Sequence, residues 1–301
     1  MKLIAPLLSG AKIAVVAPCG PVEPARRIAG LAALRAIGFA PKIFYDENAS
    51  GHGYFSEPDE ARLKWLQAAV DDPECDAIWP LRGGYGLSRI VDAVDFSALQ
   101  RRPKLCIGLS DLTLFAQRLH TETGLPFFYG PMVAALGDAD GGDMDSLHHW
   151  LQAPDAPEFI PAASYRVLRG GMGAGKLVGG CLALLAAGLG GAADLDGKEY
   201  DGAILFIEDL NEPVFRIDRM LSSLRLAGRL KNLRGVICGH MLNITRPEKS
   251  LDLDAMLLEV FAGSDFPIIT DFPSGHGPRT RTIPLYQRCA IAGDGITFAA
   301  G

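Results

Sequence analysis

The chain has no long apolar run, no ordered cysteine pattern and no basic stretch, and each absence removes a class of protein. Its richest apolar segment, Cys181 to Gly188, has glycines on both sides and falls well short of the roughly 20 apolar residues a helix needs to cross a bilayer. The N-terminus carries one lysine and a few leucines, but Pro6 interrupts it. It runs directly into a strand-like Lys12 to Pro18, leaving it too short for a secretory segment with a cleavage site. The expectation is a cytoplasmic protein with no membrane partner. Cys19, Cys75, Cys106, Cys181, Cys238 and Cys289 are scattered, with no C-x-x-C and no cysteine–histidine spacing suited to zinc. They read as small buried hydrophobes in a reducing compartment, and no metal or other cofactor is called for. Charged residues make up only 21%, the net charge is -6, and no basic run is interleaved with aromatics, which argues against nucleic acid as a partner. Internal repeats, heptads and low-complexity tails are also absent.

What remains is a chain of 301 residues, 49% hydrophobic, with 35 glycines and 20 prolines, large enough for two domains. Its first half alternates strand and helix signals. A strand at Lys12 to Pro18 precedes a helix from about Pro24 to Ile37, and a strand at Pro41 to Tyr45 precedes a helix near Pro58 to Val70. A strand at Asp76 to Leu81 leads to a helix at Leu87 to Val94, and Leu105 to Gly108 leads to a helix reaching His120 and a run from Leu125 to Tyr129. Strands separated by helices of this length predict a parallel sheet covered on both faces. The Pro/Ala-rich stretch after Leu151 marks a boundary. The expected fold class is therefore α/β, with a flavodoxin- or Rossmann-like N-terminal domain over 1–153, a linker at 154–164 and a smaller C-terminal α/β domain over 165–301. The active site is expected between the domains.

Three separated segments carry the chemistry. Gly108-Leu109-Ser110-Asp111 places a serine where an apolar strand turns into a helix, beside helix-start N–H groups that can stabilise developing negative charge. The same pair is also an ordinary N-cap, and Leu112 stands where the G-x-S-x-G elbow has its second glycine. Glu208-Asp209 at a strand end supplies carboxylates, and Gly275-His276-Gly277 supplies an imidazole; alone, either is an ordinary surface turn. Arg82-Gly83-Gly84-Tyr85-Gly86 lets the backbone approach a ligand and adds a guanidinium, without matching a P-loop or a dinucleotide fingerprint. Arg82 either neutralises a substrate carboxylate or braces the loop through a salt bridge. Cys19, in a loop at the end of the first strand, lacks a nearby histidine to activate it.

The ordered set resembles the serine LD-carboxypeptidases, also called muramoyltetrapeptide carboxypeptidases. The likeness runs nearly end to end, through Ala17-Pro18, the Arg82 loop, Ile107 to Thr113, Tyr129-Gly130-Pro131-Met132, Gly175 to Gly180, Leu205 to Asp209 with Glu212-Pro213 and Arg216 to Arg219, and Gly275-His276-Gly277. The resemblance implies that Ser110 is the nucleophile, His276 the general base and Glu208 the carboxylate orienting it. It further implies an oxyanion hole from the backbone N–H of Asp111 with that of Gly83 or Gly84, and a substrate side bearing Arg82 and Tyr85. The implied reaction is hydrolysis of an L,D-amide in a murein tetrapeptide, releasing terminal D-alanine during cell-wall recycling, by a homodimer. The same pattern is shared by self-immunity peptidases that cleave peptidyl-nucleotide antibiotics such as processed microcin C. A two-domain binding protein without turnover is the reading from another class. Cys19 stands where serine is usual, Cys181 where asparagine is common, and Tyr286 where glycine is expected.

Overall fold

The computed structural model describes residues 4–138 and 140–299. Its first half gives β1 (Lys12–Val16), α1 (Pro24–Ala36), β2 (Ala40–Phe44), α2 (Asp59–Asp71), β3 (Ala77–Pro80), α3 (Ser97–Arg101), β4 (Leu105–Gly108), α4 (Leu112–Thr123), β5 (Phe127–Tyr129) and α5 (Met144–Gln152). Its second half gives β6 (Glu158–Pro161), β7 (Arg166–Arg169), β8 (Gly173–Cys181), α6 (Leu182–Ala187), α7 (Gly197–Tyr200), β9 (Ile204–Leu210) and α8 (Val214–Leu226). There follow β10 (Gly235–Leu242), α9 (Leu253–Val260), β11 (Ile268–Thr270), β12 (Ile283–Leu285), β13 (Arg288–Ile291) and β14 (Gly295–Ala299).

Two sheets form. The first has the order β2-β1-β3-β4-β5-β12, with every neighbour parallel except the last pair. Its first five strands follow the flavodoxin-like order, in which the chain reverses direction between β1 and β3 and leaves a crevice at their carboxyl ends. Both faces are covered by helices, so β3 and β4 are buried at every position and read as continuous apolar runs instead of alternating ones. The second sheet, β6-β14-β13-β8-β9-β10-β11-β7, is parallel from β8 to β11 and antiparallel on both flanks.

Local chemistry sets the element ends. Pro24 opens α1, and Gly124, at φ 71, closes α4 in the left-handed conformation with its N–H on the His120 carbonyl. The segment Leu87 to Val94, expected as a helix, forms two 3₁₀ turns, Leu87–Arg89 and Val91–Ala93. The Leu87 N–H is drawn to the Asp111 side chain, and Gly86 before it sits at φ 138. Residues 154–164, expected as a linker, include β6, which edges the second sheet beside β14. The C-terminal half also returns a strand to the first sheet: β12 pairs antiparallel with β5, Ile283 opposite Tyr129.

Candidate active site

Of the three expected residues, Ser110 lies just past β4, Glu208 is third from the end of β9, and His276 is in the loop between β11 and β12. Ser110 follows β4 after one intervening residue, Leu109, and stands at φ 66, the left-handed region that an L-residue enters at a cost of roughly 1–2 kcal/mol. Its hydroxyl does not cap α4, which has no side-chain cap. Its carbonyl accepts from the Thr113 N–H (2.9 Å) and hydroxyl (2.7 Å), and its own N–H donates to the Tyr129 hydroxyl (3.0 Å). Backbone strain at a strand-to-helix corner, held on its N–H side by Tyr129 and on its carbonyl side by Thr113, turns the serine side chain out of the sheet. The N-cap reading is thereby replaced.

Glu208 and His276 meet across the cleft. Glu208, wholly buried near the end of β9, accepts from His276 Nδ1 at 2.7 Å on Oε2 and from the Tyr129 hydroxyl at 2.6 Å on Oε1. With Nδ1 engaged as donor, Nε2 is the nitrogen left to take a proton. Burial works against the charged imidazole, but the hydrogen bond and charge of Glu208, with the charge of Asp209, outweigh it and hold His276 above the ordinary histidine value. Neighbouring Asp209 has another task. Its oxygens accept from the N–H groups of Ala183 and Leu210, both at 2.9 Å, anchoring the start of α6, and burial pushes its carboxyl up to about 6.

The His276 loop is tied to both sheets, leaving β11 in one and entering β12 in the other. Its flanking glycines are demanded by close approach. A methyl group on Gly275, at φ 115, would stand 2.7 Å from Glu208 Oε2, and one on Gly277 would stand 2.3 Å from His240 Nδ1. His240 accepts the Gly277 N–H at 3.1 Å, and burial holds it below the ordinary histidine value, in keeping with a neutral ring. No hydrogen bond joins Ser110 Oγ to His276 among the described residues; in resting enzymes such contacts commonly tighten only around substrate.

The Arg82 loop lies over the serine. A methyl on Gly83 would stand 3.0 Å from Ser110 Cβ and 3.3 Å from Oγ, and Gly84 adopts φ 102. No hydrogen bond is made by the N–H groups of Gly83, Gly84 or Asp111 among the described residues. Asp111 is buried, its Oδ2 accepting the Leu87 N–H at 2.7 Å, so its side chain fixes the loop to the serine corner; burial pushes this carboxyl up. Arg82 donates to the Pro21 carbonyl at 2.8 Å and forms no salt bridge among the described residues. Tyr85 is half exposed, its ring 5.6 Å from those of Tyr54 and Phe55. Two openings flank this region. One of about 540 Å³ is lined by Gly20, Pro21, Tyr54, Arg82, Gly84 and Tyr85, and one of about 520 Å³ includes Leu109, Met132, His276 and Asp140.

A larger cavity, about 830 Å³, lies elsewhere, between the end of α4 and the turn before β13, and includes His120, Lys176, Glu199 and Tyr286. None of the expected site residues lines it, so size is a poor guide to the chemistry here. Tyr286, at φ 68, stacks on His120 with ring centroids 4.1 Å apart and planes 8° from parallel. Cys19 is wholly buried beside Asp111 and burial pushes its thiol far up, which removes it as a nucleophile. Cys181 is likewise buried, paired in register with Glu208. Sequence reasoning passed over Tyr129, His240 and Thr113 as members of this site. Tyr129 had a signal in Tyr129-Gly130-Pro131 and Thr113 in the run Ile107 to Thr113; nothing local marks His240.

Comparison with known proteins identifies the family. Residues 13–130 match the LD-carboxypeptidase N-terminal domain and residues 174–291 the LD-carboxypeptidase C-terminal domain. A probable murein peptide carboxypeptidase of Bacillus subtilis is 31% identical over 95% of this chain and 90% of its own length. The crystal structure of muramoyltetrapeptide carboxypeptidase from Oxalobacter formigenes superposes with a TM-score of 0.83 at 27% identity, covering 96% of this chain and 98% of that one. MccF in complex with glutamyl sulfamoyl guanosine gives a TM-score of 0.89 at 22% identity, over 99% and 98% of the two chains, which is a likeness of fold.

Proposed function

The chain belongs to the LD-carboxypeptidase family, and on that premise we propose that it hydrolyses an L,D-amide bond of a murein tetrapeptide, releasing the terminal D-alanine, with Ser110, His276 and Glu208 as its catalytic groups. The observation that carries this reading is the serine at φ 66 above the sheet edge, with the Glu208–His276 pair tied to its backbone through one tyrosine.

In the proposed mechanism, His276 Nε2 takes the Ser110 proton as Oγ attacks the scissile carbonyl. Glu208 holds the imidazole in the required tautomer and stabilises the imidazolium. The free N–H of Asp111, with that of Gly83 or Gly84, receives the oxyanion, each donor contributing about 3 kcal/mol. His276 then gives its proton to the departing amine of D-alanine, leaving the tripeptide as an ester on Ser110. Water, deprotonated by the same imidazole, attacks the ester and restores the serine. Arg82 Nη1 is engaged by Pro21, and its outward guanidinium face, with Tyr85, suits a substrate carboxylate beside an apolar wall.

We divide the chain functionally near residue 153, with the nucleophile before it and the base and carboxylate after it. A cytoplasmic location is supported by six buried cysteines that are all free. No described helix is long and apolar enough to cross a membrane. A homodimer is proposed on the family likeness alone. The test is D-alanine release from L-Ala-γ-D-Glu-meso-diaminopimelyl-D-Ala by the native protein and by Ser110→Ala. Release by the native protein alone supports both the chemistry and the nucleophile. Equal release by both refutes the assignment of Ser110, and release by neither folded protein refutes the murein substrate.

A further inference from the structure

We propose that Tyr129 is a positioning residue for this reaction: its hydroxyl clamps the backbone of Ser110 and the carboxylate of Glu208 in fixed relation, across the junction of the two sheets. The proposal rests on the assignment of Ser110, Glu208 and His276 above.

Tyr129 is the last residue of β5 and has no exposed surface. A phenol carries one proton, so the direction of each bond follows. The Ser110 N–H can only donate, and it donates to the phenol oxygen at 3.0 Å; the phenol proton is therefore left for Glu208 Oε1 at 2.6 Å. Burial, then the charges of Glu208 and Cys181, push the phenol far up, so it stays protonated and remains a donor.

Three consequences bear on catalysis. The Ser110 N–H is occupied and cannot serve the oxyanion, which leaves that task to Asp111 and the Gly83-Gly84 segment. The left-handed backbone of Ser110 is held from the N–H side by Tyr129 and from the carbonyl side by Thr113. The two Glu208 oxygens acquire separate partners, Tyr129 on Oε1 and His276 on Oε2, so the carboxylate cannot rotate away from the imidazole. Serine, tyrosine, glutamate and histidine thus form an open chain whose missing link is the Ser110 Oγ to His276 contact. The tyrosine ring itself packs edge-on against Phe206 of β9, its centroid 5.5 Å away, a contact that phenylalanine would preserve. The other titratable groups whose charges reach the Glu208–His276 pair are Cys181 from β8, Asp209 from β9, which points to the other side of the strand, and His240 from β10.

The experiment is kcat and KM for D-alanine release as a function of pH, in Tyr129→Phe and in protein with 3-fluorotyrosine in place of Tyr129, with Ser110→Ala alongside. Removing a donor from a buried carboxylate makes the Glu208–His276 pair hold its proton more tightly. Tyr129→Phe should therefore lower kcat by about 10- to 100-fold, change KM by less than about threefold, and raise the acid limb of kcat/KM by about one pH unit. The fluorinated phenol is a stronger donor and should move that limb down. A folded Tyr129→Phe whose acid limb stays in place, with Ser110→Ala inactive, overturns the proposal and leaves the nucleophile assignment standing. Native turnover by Ser110→Ala overturns both. If Tyr129→Phe does not fold, the fluorotyrosine protein decides alone: a downward shift supports the clamp and an unmoved limb rejects it.

Discussion

Replacing Gly83 by alanine tests whether the glycine loop shapes the reaction centre. Gly83 is buried between exposed Arg82 and Gly84 and does not use the left-handed region, so alanine brings no intrinsic backbone penalty. The added methyl would lie 3.0 Å from Ser110 Cβ, 3.3 Å from its Oγ and 3.4 Å from Met132 Cε. Carbon atoms pack best at about 3.5–4.0 Å, so the overlap with Ser110 is roughly half an ångström or more. The methionine end can swing away. Ser110 cannot, because Tyr129 and Thr113 hold its backbone. The loop must retreat, carrying the N–H groups of Gly83 and Gly84 off the serine, or Oγ must turn aside. Loss of one oxyanion donor costs about 10²–10³ in kcat, while a loop with exposed neighbours should absorb the shift with at most about 1 kcal/mol of stability. Gly84→Ala is the control. Its methyl meets nothing nearer than 3.6 Å, but φ 102 is costly for any side chain, so it should lose about 1–3 kcal/mol of stability. Thermal unfolding and steady-state D-alanine release on both variants give the answer. A folded Gly83→Ala with kcat within about threefold of native would refute the placement of the loop.

The pH dependence follows from His276. Its folded value lies above that of an ordinary histidine, so the neutral base is lost as pH falls through a midpoint above the usual histidine range, and kcat/KM should rise with pH to a plateau beyond neutrality. Stability runs the other way. A group whose folded pKa is raised contributes stability that is complete below the unfolded value and is lost as pH rises through the folded one. Urea unfolding of native protein against His276→Gln should therefore show a difference that shrinks as the pH is raised, and a growing difference contradicts the sign. Tyr286→Gly relieves a left-handed tyrosine, gaining about 1 kcal/mol, but removes a buried ring stacked on His120, losing about 3–5 kcal/mol. The net fall of about 2–4 kcal/mol is checked by denaturant unfolding, and unchanged stability would mean the stack contributes nothing.

The parallel rhythm of the first half was legible because each strand there is an apolar run bounded by amphipathic helices, and local periodicity suffices to find such units. The stretch Leu87 to Val94 had the same apolar spacing yet formed two 3₁₀ turns, because Ile90 between them stands at φ -129, outside the range a continuous helix requires. Strand β6 was hidden in a Pro/Ala-rich segment, and β12 is only three residues long and earns its place by pairing with β5. Short edge strands carry no signal of their own partner.

The site divides in the same way. The amino-acid order alone determined the residue types the chemistry needs and the glycines beside them, Ser110 after a strand, a carboxylate pair at a strand end and a histidine between glycines, because those features are local and their motifs survive without coordinates. The family resemblance had already named Glu208; only the tertiary structure puts its carboxylate on the His276 imidazole and that of Asp209 on the start of a helix, seals Cys19 away, and brings Tyr129 and His240 beside them. The physical reason is that two adjacent carboxylates on a strand point to opposite sides, and which side faces the histidine depends on how two sheets meet. Hydrogen-bond partners such as Tyr129 and Glu208, 79 positions apart, become neighbours only after both sheets have formed.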